Sequence, residues 1–249
     1  MSLELFHNDK STCSQKVRLC LAELGLAWTD RHIDLGAEEN LGEDYLAINP
    51  NGVVPALRHD GDVVIESTVI CEYLCEAFPD EANLLPATPL GRAHVRAWLR
   101  YIDEVPSMAV RVPTFELIRE ARFGQMSDAE FEDFTRRNPL RRDFFEKLGP
   151  KGFSERDRAS AEKQLHQTID RMERDLSSQD WLCGDLTIAD LCVAPVFQRL
   201  VDIDQARYWA DKPGVSAWLD RIRDRPSWDE AFYPGTYMSD APRERLQSA

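Results

Sequence analysis

The amino-acid sequence predicts an α/β half followed by an all-α half. Within residues 1–80, short apolar runs of strand character alternate with helical stretches, which is typical of a mixed sheet flanked by helices. A linker containing two prolines occupies residues 81–90, and residues 91–249 carry apolar side chains at helical spacing. We therefore expect two domains, one on each side of this linker.

The first elements follow from local patterns. Residues 3–6 alternate apolar and polar side chains, which predicts a short strand, and residues 27–35 predict a second one. Between them, residues 14–24 predict a helix that ends at Gly25. The apolar positions of this helix recur at spacings of four and three: Val17, Leu21 and Leu24.

The remaining elements of the α/β half form a hairpin and a helix. Residues 54–57 and 63–65 predict two strands joined by a turn at 60–61. A helix is expected over 67–78, where Pro79 stops it. The polar stretch between the second and third strands is the place for one more short helix.

The helical half shows its character in three apolar stripes. They comprise Ala93, Ala97, Tyr101 and Val105; Ala161, Leu165, Ile169, Met172 and Leu176; and Val215, Trp218, Leu219 and Ile222. Thr187 and Asp190 have the spacing of a capping box, which predicts a well-started buried helix. Residues 110–155 are less regular, and we expect the arginines at 136–142 to form a solvated face.

Composition excludes several classes of protein. The formal net charge of −14 argues against nucleic-acid binding, which needs a basic surface. No apolar run approaches the ~20 residues of a membrane span, and the N-terminus lacks a signal-peptide pattern. The six cysteines have no metal-binding spacing, so we expect no metal and a reduced, cytoplasmic setting in which most of these thiols are small core residues.

Ser11, Thr12, Cys13 and Ser14 immediately precede the first predicted helix. The free N–H groups and the dipole of a helix start favour an anion, including a thiolate. A hydroxyl that donates to a sulfur stabilises its charged form and lowers the pKa of the thiol. The structural alternative is that one of these hydroxyls only caps the helix.

A second group of residues suits the capture of a peptide-like ligand. Pro55 stands at the mouth of a strand, so that Val54 can present its backbone N–H and C=O to a guest. Glu66 and Ser67 open the following helix, where an acid and a hydroxyl can hold the amine and carboxylate of that guest.

The order of these motifs resembles the cytosolic glutathione transferase family over essentially the whole chain. The resemblance implies a thioredoxin-like domain joined to a helical bundle, glutathione as co-substrate, and a homodimer. It also implies a cis Pro55, a Val54 backbone that pairs with the cysteinyl part of glutathione, and a Glu66–Ser67 pair that holds the γ-glutamyl group. Glutathione is therefore the ligand that we expect at this strand edge.

The group that activates the glutathione thiol has three candidates. With Val17 as the register, Ser11 falls where theta-like and zeta-like members place their activating serine. Cys13 is displaced by two residues from the catalytic cysteine of omega-like members. We favour Ser11 as the hydrogen-bond donor, with Ser14 as the alternative and Cys13 as a third candidate, a nucleophile.

Residues 49–79 and 126–132 are similar to bacterial glutathione-dependent lignin β-etherases. In that group the serine at the position of Ser14 is the candidate for activating the thiol, which keeps Ser14 open. One departure is Val53, which stands where these relatives often carry Gln or Lys against the glycyl part of glutathione. Because a valine makes no such bond, either Asn40 or Asn51 holds the glycyl part instead or the affinity for glutathione is reduced.

The resemblance implies an enzyme in which the glutathione thiolate attacks a small hydrophobic or aromatic electrophile. We expect Trp98, Tyr101, Phe115 and Phe123 to line its pocket, although each could equally pack in a helical core. Cleavage of β-aryl ethers is one alternative function. Others are an isomerase, a disulfide reductase that acts through Cys13, and a non-catalytic glutathione-binding protein.

Overall fold

The computed structural model describes residues 2–240, so the end of the predicted helical half, 241–249, lies outside the described residues. Its four strands form one mixed sheet in the order β2-β1-β3-β4. The strands are β1 (Leu3–His7), β2 (Thr29–His32), β3 (Ala56–His59) and β4 (Asp62–Ile65). β1 pairs parallel with β2 and antiparallel with β3, and β3 pairs antiparallel with β4.

The predicted α/β half is confirmed, with shifts at element ends. Its helices are α1 (Thr12–Glu23), α2 (Glu43–Leu46) and α3 (Ser67–Ala77), and a 3-10 turn spans Glu39–Leu41. α1 begins two residues earlier than expected because the Ser11 side chain caps it. β3 begins only after Pro55, which has no N–H to donate to a ladder.

The second half is helical, as predicted. Its helices are α4 (Pro89–Glu104), α5 (Pro106–Ala109), α6 (Arg111–Phe123), α7 (Asp128–Arg137), α8 (Arg142–Leu148), α9 (Glu155–Leu176), α10 (Ile188–Asp202), α11 (Pro213–Arg223) and α12 (Pro226–Ala231). The irregular segment 110–155 is therefore three helices, and Ser127 with Glu130 forms a capping box at the start of α7. Within residues 2–240, no helix combines the length and apolar character needed to cross a membrane.

Two of the three predicted stripes are confirmed and one is wrong. The stripes of α9 and α11 are buried. In α4 the alanines at 93 and 97 are exposed, and the buried stripe is Val95, Trp98, Leu99 and Ile102. Large side chains one register away bury more apolar surface than the alanines would, and they therefore face the core.

A single hydrophobic core runs through both halves and ties them together. It contains Leu5 of β1, Val17 of α1 and Ile102 of α4. The fully buried Lys16 of α1 reaches across to α4, where its Nζ lies 3.1 Å from Asp103 Oδ1. Because a buried ammonium needs such a partner, this pair fixes how α1 sits against the helical half.

The capping box at the start of α10 is confirmed and is closed to solvent. The Asp190 carboxylate accepts hydrogen bonds from the N–H groups of Thr187 (3.0 Å) and Leu182 (2.9 Å) and from Trp218 Nε1 (3.0 Å). Burial raises the pKa of Asp190 to about 6, although these donors favour the charged form. This feature is structural, as the sequence predicted.

Candidate functional site

Two adjoining cavities open between the sheet and the helical half. The α1 cavity, about 390 Å³, includes the start of α1 and faces α6. The α3 cavity, about 570 Å³, includes the start of α3 and faces α5, α8 and α9. Of the described residues, five line both cavities and form their junction: Cys13, Val53, Val54, Arg111 and Arg141.

The peptide-capture residues predicted from the sequence come together at the α3 cavity. Val54, Pro55, Glu66 and Ser67 all line it, and the Val54–Pro55 bond is cis. Val54 and Ser67 are buried, whereas Glu66 is exposed and adopts a φ of 71°. This left-handed backbone conformation is uncommon for a residue with a side chain. It turns the chain from β4 directly into α3 and leaves the first N–H groups of that helix facing the cavity.

Ser11 and Ser14 occupy different environments. The Ser11 hydroxyl oxygen accepts the N–H of Ser14 at 3.3 Å, and its side chain lines the α1 cavity. Its hydroxyl hydrogen therefore remains available to a sulfur in that cavity. Ser14 is fully buried, accepts the N–H of Asn8 at 3.2 Å and is absent from the described lining of both cavities. The structure thus corrects the Ser14 alternative, because its hydroxyl does not reach the cleft.

Cys13 lies at the junction of the two cavities, a more central position than its third place among the candidates implied. It is half-buried in the first turn of α1, at the junction of the cavities. Burial by itself would raise the pKa of this thiol. The charges of Lys16, Arg111 and Arg141 and a hydrogen bond with Ser67 outweigh that effect and lower the pKa. The junction is therefore a place that favours a negatively charged sulfur.

The α1 cavity has a cationic lining in a protein of net charge −14. Its basic side chains outnumber the carboxylates of Asp9 and Asp34, and they are Lys10, Arg111, Arg122, Arg141 and Arg199. Burial lowers the pKa of Arg199 to about 10 and also lowers the pKa of Arg122. Buried cations of this kind favour an anionic ligand.

The predicted aromatic pocket is mostly wrong. Phe115 lines the α1 cavity, together with the apolar side chains of Val110 and Ile118. Trp98 is buried and packs edge-to-face on Tyr101, with ring centroids 5.7 Å apart, and Tyr101 hydrogen-bonds to Thr168 at 3.0 Å. These two aromatic residues belong to the core, the structural reading that the sequence left open.

Phe123 is also a core residue. It is buried in a second cluster of phenylalanines from α6, α7 and α8, and its ring meets Phe131 edge-to-face at 5.4 Å. This cluster fixes α7 and α8 against α6. It thereby places Arg141, which precedes α8, at the junction of the cavities.

The residues around Val53 are already hydrogen-bonded. The carbonyl of Val53 accepts from Tyr45 Oη and Asn49 Nδ2, both at 2.7 Å. Asn40 donates to the carbonyl of Gly52 at 2.7 Å, and Asn51 donates to Glu66 Oε1 at 3.3 Å. Asn40 lines the α1 cavity, whereas Asn51 is absent from the described linings of both cavities.

Sequence reasoning missed the arginines that line the α1 cavity, among them Arg111, Arg122 and Arg141. Arg111 and Arg122 lie in α6, within the segment that looked irregular, and Arg141 belongs to the run that was expected to be a solvated face. Its neighbours Arg136, Arg137 and Arg142 are exposed, as predicted. Position in the run carries no signal that separates Arg141 from them, because only the packing of α8 points it inward. Among the described residues, no cluster of His, Cys, Asp or Glu is suited to hold a metal.

Two family models match this architecture. Residues 10–77 match the N-terminal domain of glutathione S-transferase and residues 134–221 match its C-terminal domain. The chain belongs to the glutathione S-transferase family. It is accordingly a glutathione-dependent enzyme with glutathione as co-substrate, and the predicted family and fold are confirmed.

Individual relatives support the same assignment. The chain is 35% identical to protein LigF of Sphingobium sp. over 240 residues, which cover 93% of each chain. The crystal structure of the β-etherase LigF matches with a TM-score of 0.85 at 34% identity, over 93% of this chain and 99% of that one.

Plant members of the family are more distant. Glutathione S-transferase F10 of Arabidopsis thaliana is 28% identical over 223 residues, which cover 87% of this chain and 90% of that protein. The structure of glutathione transferase F7 of Populus trichocarpa has a TM-score of 0.74 at 25% identity, over 92% of this chain and 97% of that one.

Proposed function

We propose that this enzyme joins the glutathione thiol to a hydrophobic or aromatic electrophile held in the α1 cavity. The observation that carries the proposal is the junction. There the backbone edge of Val54 meets the start of α1, and the α1 cavity opens directly beyond it, with Val110, Phe115 and Ile118 as an apolar part of its lining. A thiolate formed at the junction lies within reach of a ring bound in that cavity, which supplies the proximity that such a displacement needs.

Glutathione would lie across the junction. Its γ-glutamyl group is placed at Glu66 and Ser67, where the start of α3 favours a carboxylate. Its cysteinyl part pairs with the backbone of Val54, and its glycyl part extends past Val53 into the α1 cavity. Relatives often hold the glycyl part with a Gln or Lys at the position of Val53. In this chain the guanidinium group of Arg122, which lines the α1 cavity, would bind the glycyl carboxylate instead. Asn40, Asn51 and Arg122 each make a hydrogen bond within the protein, but the guanidinium group of Arg122 keeps its charge and further donors, which favours the arginine for this role.

The chemical step is a displacement at carbon. Ser11 donates its hydroxyl hydrogen to the glutathione sulfur and stabilises the thiolate. The thiolate attacks the electrophilic carbon, a carbon–sulfur bond forms, and the leaving group departs with the electron pair of the broken bond. The proton released by glutathione balances the charge of the leaving group through solvent.

The second candidate function is cleavage of a β-aryl ether, favoured by the similarity to the β-etherase LigF over nearly the whole chain. In this reaction the carbon next to a ketone is attacked, the ether C–O bond breaks and a phenolate leaves. The cationic lining of the α1 cavity suits that leaving group, because negative charge develops on its oxygen as the bond breaks.

We also propose that the enzyme is a homodimer, as is general in the family. Leu90 of α4 and Val69 of α3 are large apolar side chains exposed on the described chain, and burial against a second copy would remove them from water. Sedimentation equilibrium decides between a dimer and a monomer.

Calorimetric titration of glutathione into the wild type and Ser67→Ala tests the binding site. Removal of a hydrogen bond to a charged carboxylate costs about 1.5 kcal/mol, which predicts roughly tenfold weaker binding. Ser178→Ala, an exposed serine away from the cleft, serves as the control and is expected to bind like the wild type. Equal affinity of the wild type and Ser67→Ala would contradict the placement.

The substrate class is tested by incubating the enzyme and glutathione with an aryl ether that carries a neighbouring ketone, and in parallel with a halonitrobenzene. Mass spectrometry then measures the glutathione thioether and the released phenol. Reaction with both supports the β-etherase function. Reaction with the halonitrobenzene alone retains the transferase function and rejects ether cleavage, and reaction with neither rejects both.

A further inference from the structure

Arg111 and Arg141 face each other at the junction of the two cavities. They come from different parts of the helical half, since Arg111 begins α6 and Arg141 precedes α8. Besides them, only Cys13, Val53 and Val54 line both cavities among the described residues. If the Val54 backbone holds the cysteinyl part of glutathione, as proposed above, the sulfur of that residue lies where these two guanidinium groups converge.

Neither guanidinium group is in salt-bridge contact with a carboxylate of the described residues, although the charge of Glu66 acts on Arg141 and opposes the lowering of its pKa. Within residues 2–240, Arg111 and Arg141 have no ion pair, and the polar contact of Arg111 is with Met108 Sδ at 2.7 Å. Both side chains are half-buried. Two like charges brought together out of water without a counterion are unfavourable, and an anion placed between them removes that cost.

Other charged groups around the junction do not supply this anion. Lys16 of α1 is a further cation, and its nearest carboxylate, Asp103 of α4, is already held by Lys16 and Thr68. Glu66 acts on Arg141 through its charge, but its carboxylate is hydrogen-bonded to Asn51 and forms no ion pair with either arginine within residues 2–240. The other acidic residues that line the cavities are Asp9 and Asp34 in the α1 cavity and Asp143 and Asp157 in the α3 cavity, and none of them lies at the junction.

We propose that Arg111 and Arg141 form a two-arginine site for the glutathione thiolate. This role rests on the proposed function and adds to it a pair of catalytic residues that contact the reacting sulfur from the helical half. Ser11 then supplies one hydrogen bond from α1, whereas the arginines supply the charge that keeps the sulfur ionised. A cation at hydrogen-bond distance lowers the pKa of an acid by about 1–3 units.

The thiol of Cys13 supports the assignment because it occupies the same junction. Arg111 and Arg141 are among the groups that lower its pKa against the opposing effect of burial. Burial and repulsion from Arg111 lower the pKa of Arg141 to about 9, whereas the charges of a Cys13 thiolate and of Glu66 oppose that shift. The junction therefore stabilises one negative sulfur, and in the complex that sulfur is the thiolate of glutathione.

The test measures the pKa of the bound glutathione thiol from its thiolate absorbance in the ultraviolet as a function of pH. All variants carry Cys13→Ser so that the enzyme's own junction thiol does not contribute. Cys192 and Cys183 stay protonated over the working range. The hydrogen bond with Cys71 and burial raise the pKa of Cys192, and burial raises that of Cys183 to about 11.

Arg111→Met and Arg141→Met are each expected to raise the pKa of bound glutathione by about one unit, and kcat at neutral pH is expected to fall about tenfold at saturating glutathione. Arg111→Lys and Arg141→Lys retain the charge and should recover most of the shift. Arg142→Met, the exposed neighbour of Arg141, is the matched control and should leave both quantities unchanged.

The outcomes separate this proposal from the one on which it depends. Glutathione binding with an unshifted thiol pKa in both Met variants overturns the two-arginine site and leaves the proposed function standing. A raised pKa that the Lys variants do not restore also overturns it, because the effect would then be structural. Failure of the wild type to bind glutathione would overturn the proposed function, and the two-arginine site with it.

Discussion

The starts of α1 and α10 carry similar sequence signals but lie in opposite surroundings. At α10, Asp190 accepts four hydrogen bonds, one each from Leu182 and Trp218 and two from Thr187, and the carboxylate is buried in the core. At α1, Ser11 accepts one hydrogen bond from Ser14, and the residues of the first turn face a cavity lined by arginines. One helix start is satisfied within the protein, whereas the other leaves donors for a ligand.

This difference shows what makes the start of a helix available as a ligand-binding site. A polar residue at a helix start contributes stability when the protein supplies all its partners. The same residue becomes available for chemistry when the facing surface is a cavity and the charges around it lack counterions. The four predictions below test this distinction, in order of expected effect.

The largest effect is expected for Asp190→Ala. The substitution leaves two backbone N–H groups and the Trp218 indole N–H buried without an acceptor, which should lower the free energy of unfolding by about 3 kcal/mol. Urea denaturation of the wild type and the variant measures the difference. Glutathione affinity of the folded variant should be unchanged, because the carboxylate lies away from both cavities; weaker binding would contradict a purely structural role.

The pH dependence of the same variant gives a second comparison. The pKa of Asp190 is raised to about 6 in the fold and is about 3.9 in an unfolded chain, so the native state binds more protons in between. The carboxyl group therefore contributes stability as pH falls from about 6 to about 4, and this contribution is lost as pH rises through 6. Asp190→Ala should lack that component when both proteins are unfolded in urea across this range.

Ser11→Ala should have a smaller effect that is divided between stability and catalysis. Loss of the cap costs about 1 kcal/mol of folding free energy, and loss of the hydroxyl that we propose as the donor to the glutathione sulfur should lower kcat roughly tenfold. Steady-state kinetics at saturating glutathione and urea denaturation measure the two parts. Ser11→Thr keeps the hydroxyl and should retain most of the activity. A kcat unaffected by Ser11→Ala would assign the start of α1 to structure alone, like that of α10.

The smallest effect is expected in the rates at which the thiols react. Cys13 has a lowered pKa and lines both cavities, whereas Cys192 is fully buried and has a raised pKa. Iodoacetamide should modify Cys13 first, and its rate should rise with pH and level off below the ordinary thiol pKa of about 8.5. Peptide mass spectrometry after timed labelling reports the order, and glutathione should protect Cys13. Equal labelling of both cysteines would contradict the difference in environment.

Much of the fold was predictable because its signals are local. Alternating residues predicted β1, Pro79 placed the end of α3, and the spacing of Thr187 and Asp190 predicted the buried helix start. Trp98, Tyr101 and Phe123 show where local signals fail. An aromatic side chain at helical spacing gives the same sequence pattern whether it lines a pocket or packs in a core. Only the packing of neighbouring helices decides between the two positions.

The sequence by itself determined the two halves, the strand edge at Val54 with Glu66 and Ser67 beside it, and Ser11 at the start of α1, whereas the cis Pro55 was expected only from the family resemblance. Each of these features depends on residues close together in the chain, whose backbone preferences and hydrogen bonds are set locally. Only the tertiary structure decided that Ser14 is buried, that Cys13 lies at a junction of two cavities, and that Arg111 and Arg141 meet there. Those outcomes depend on helices that are distant in sequence, because the environment of a charge is created by the surfaces that pack around it.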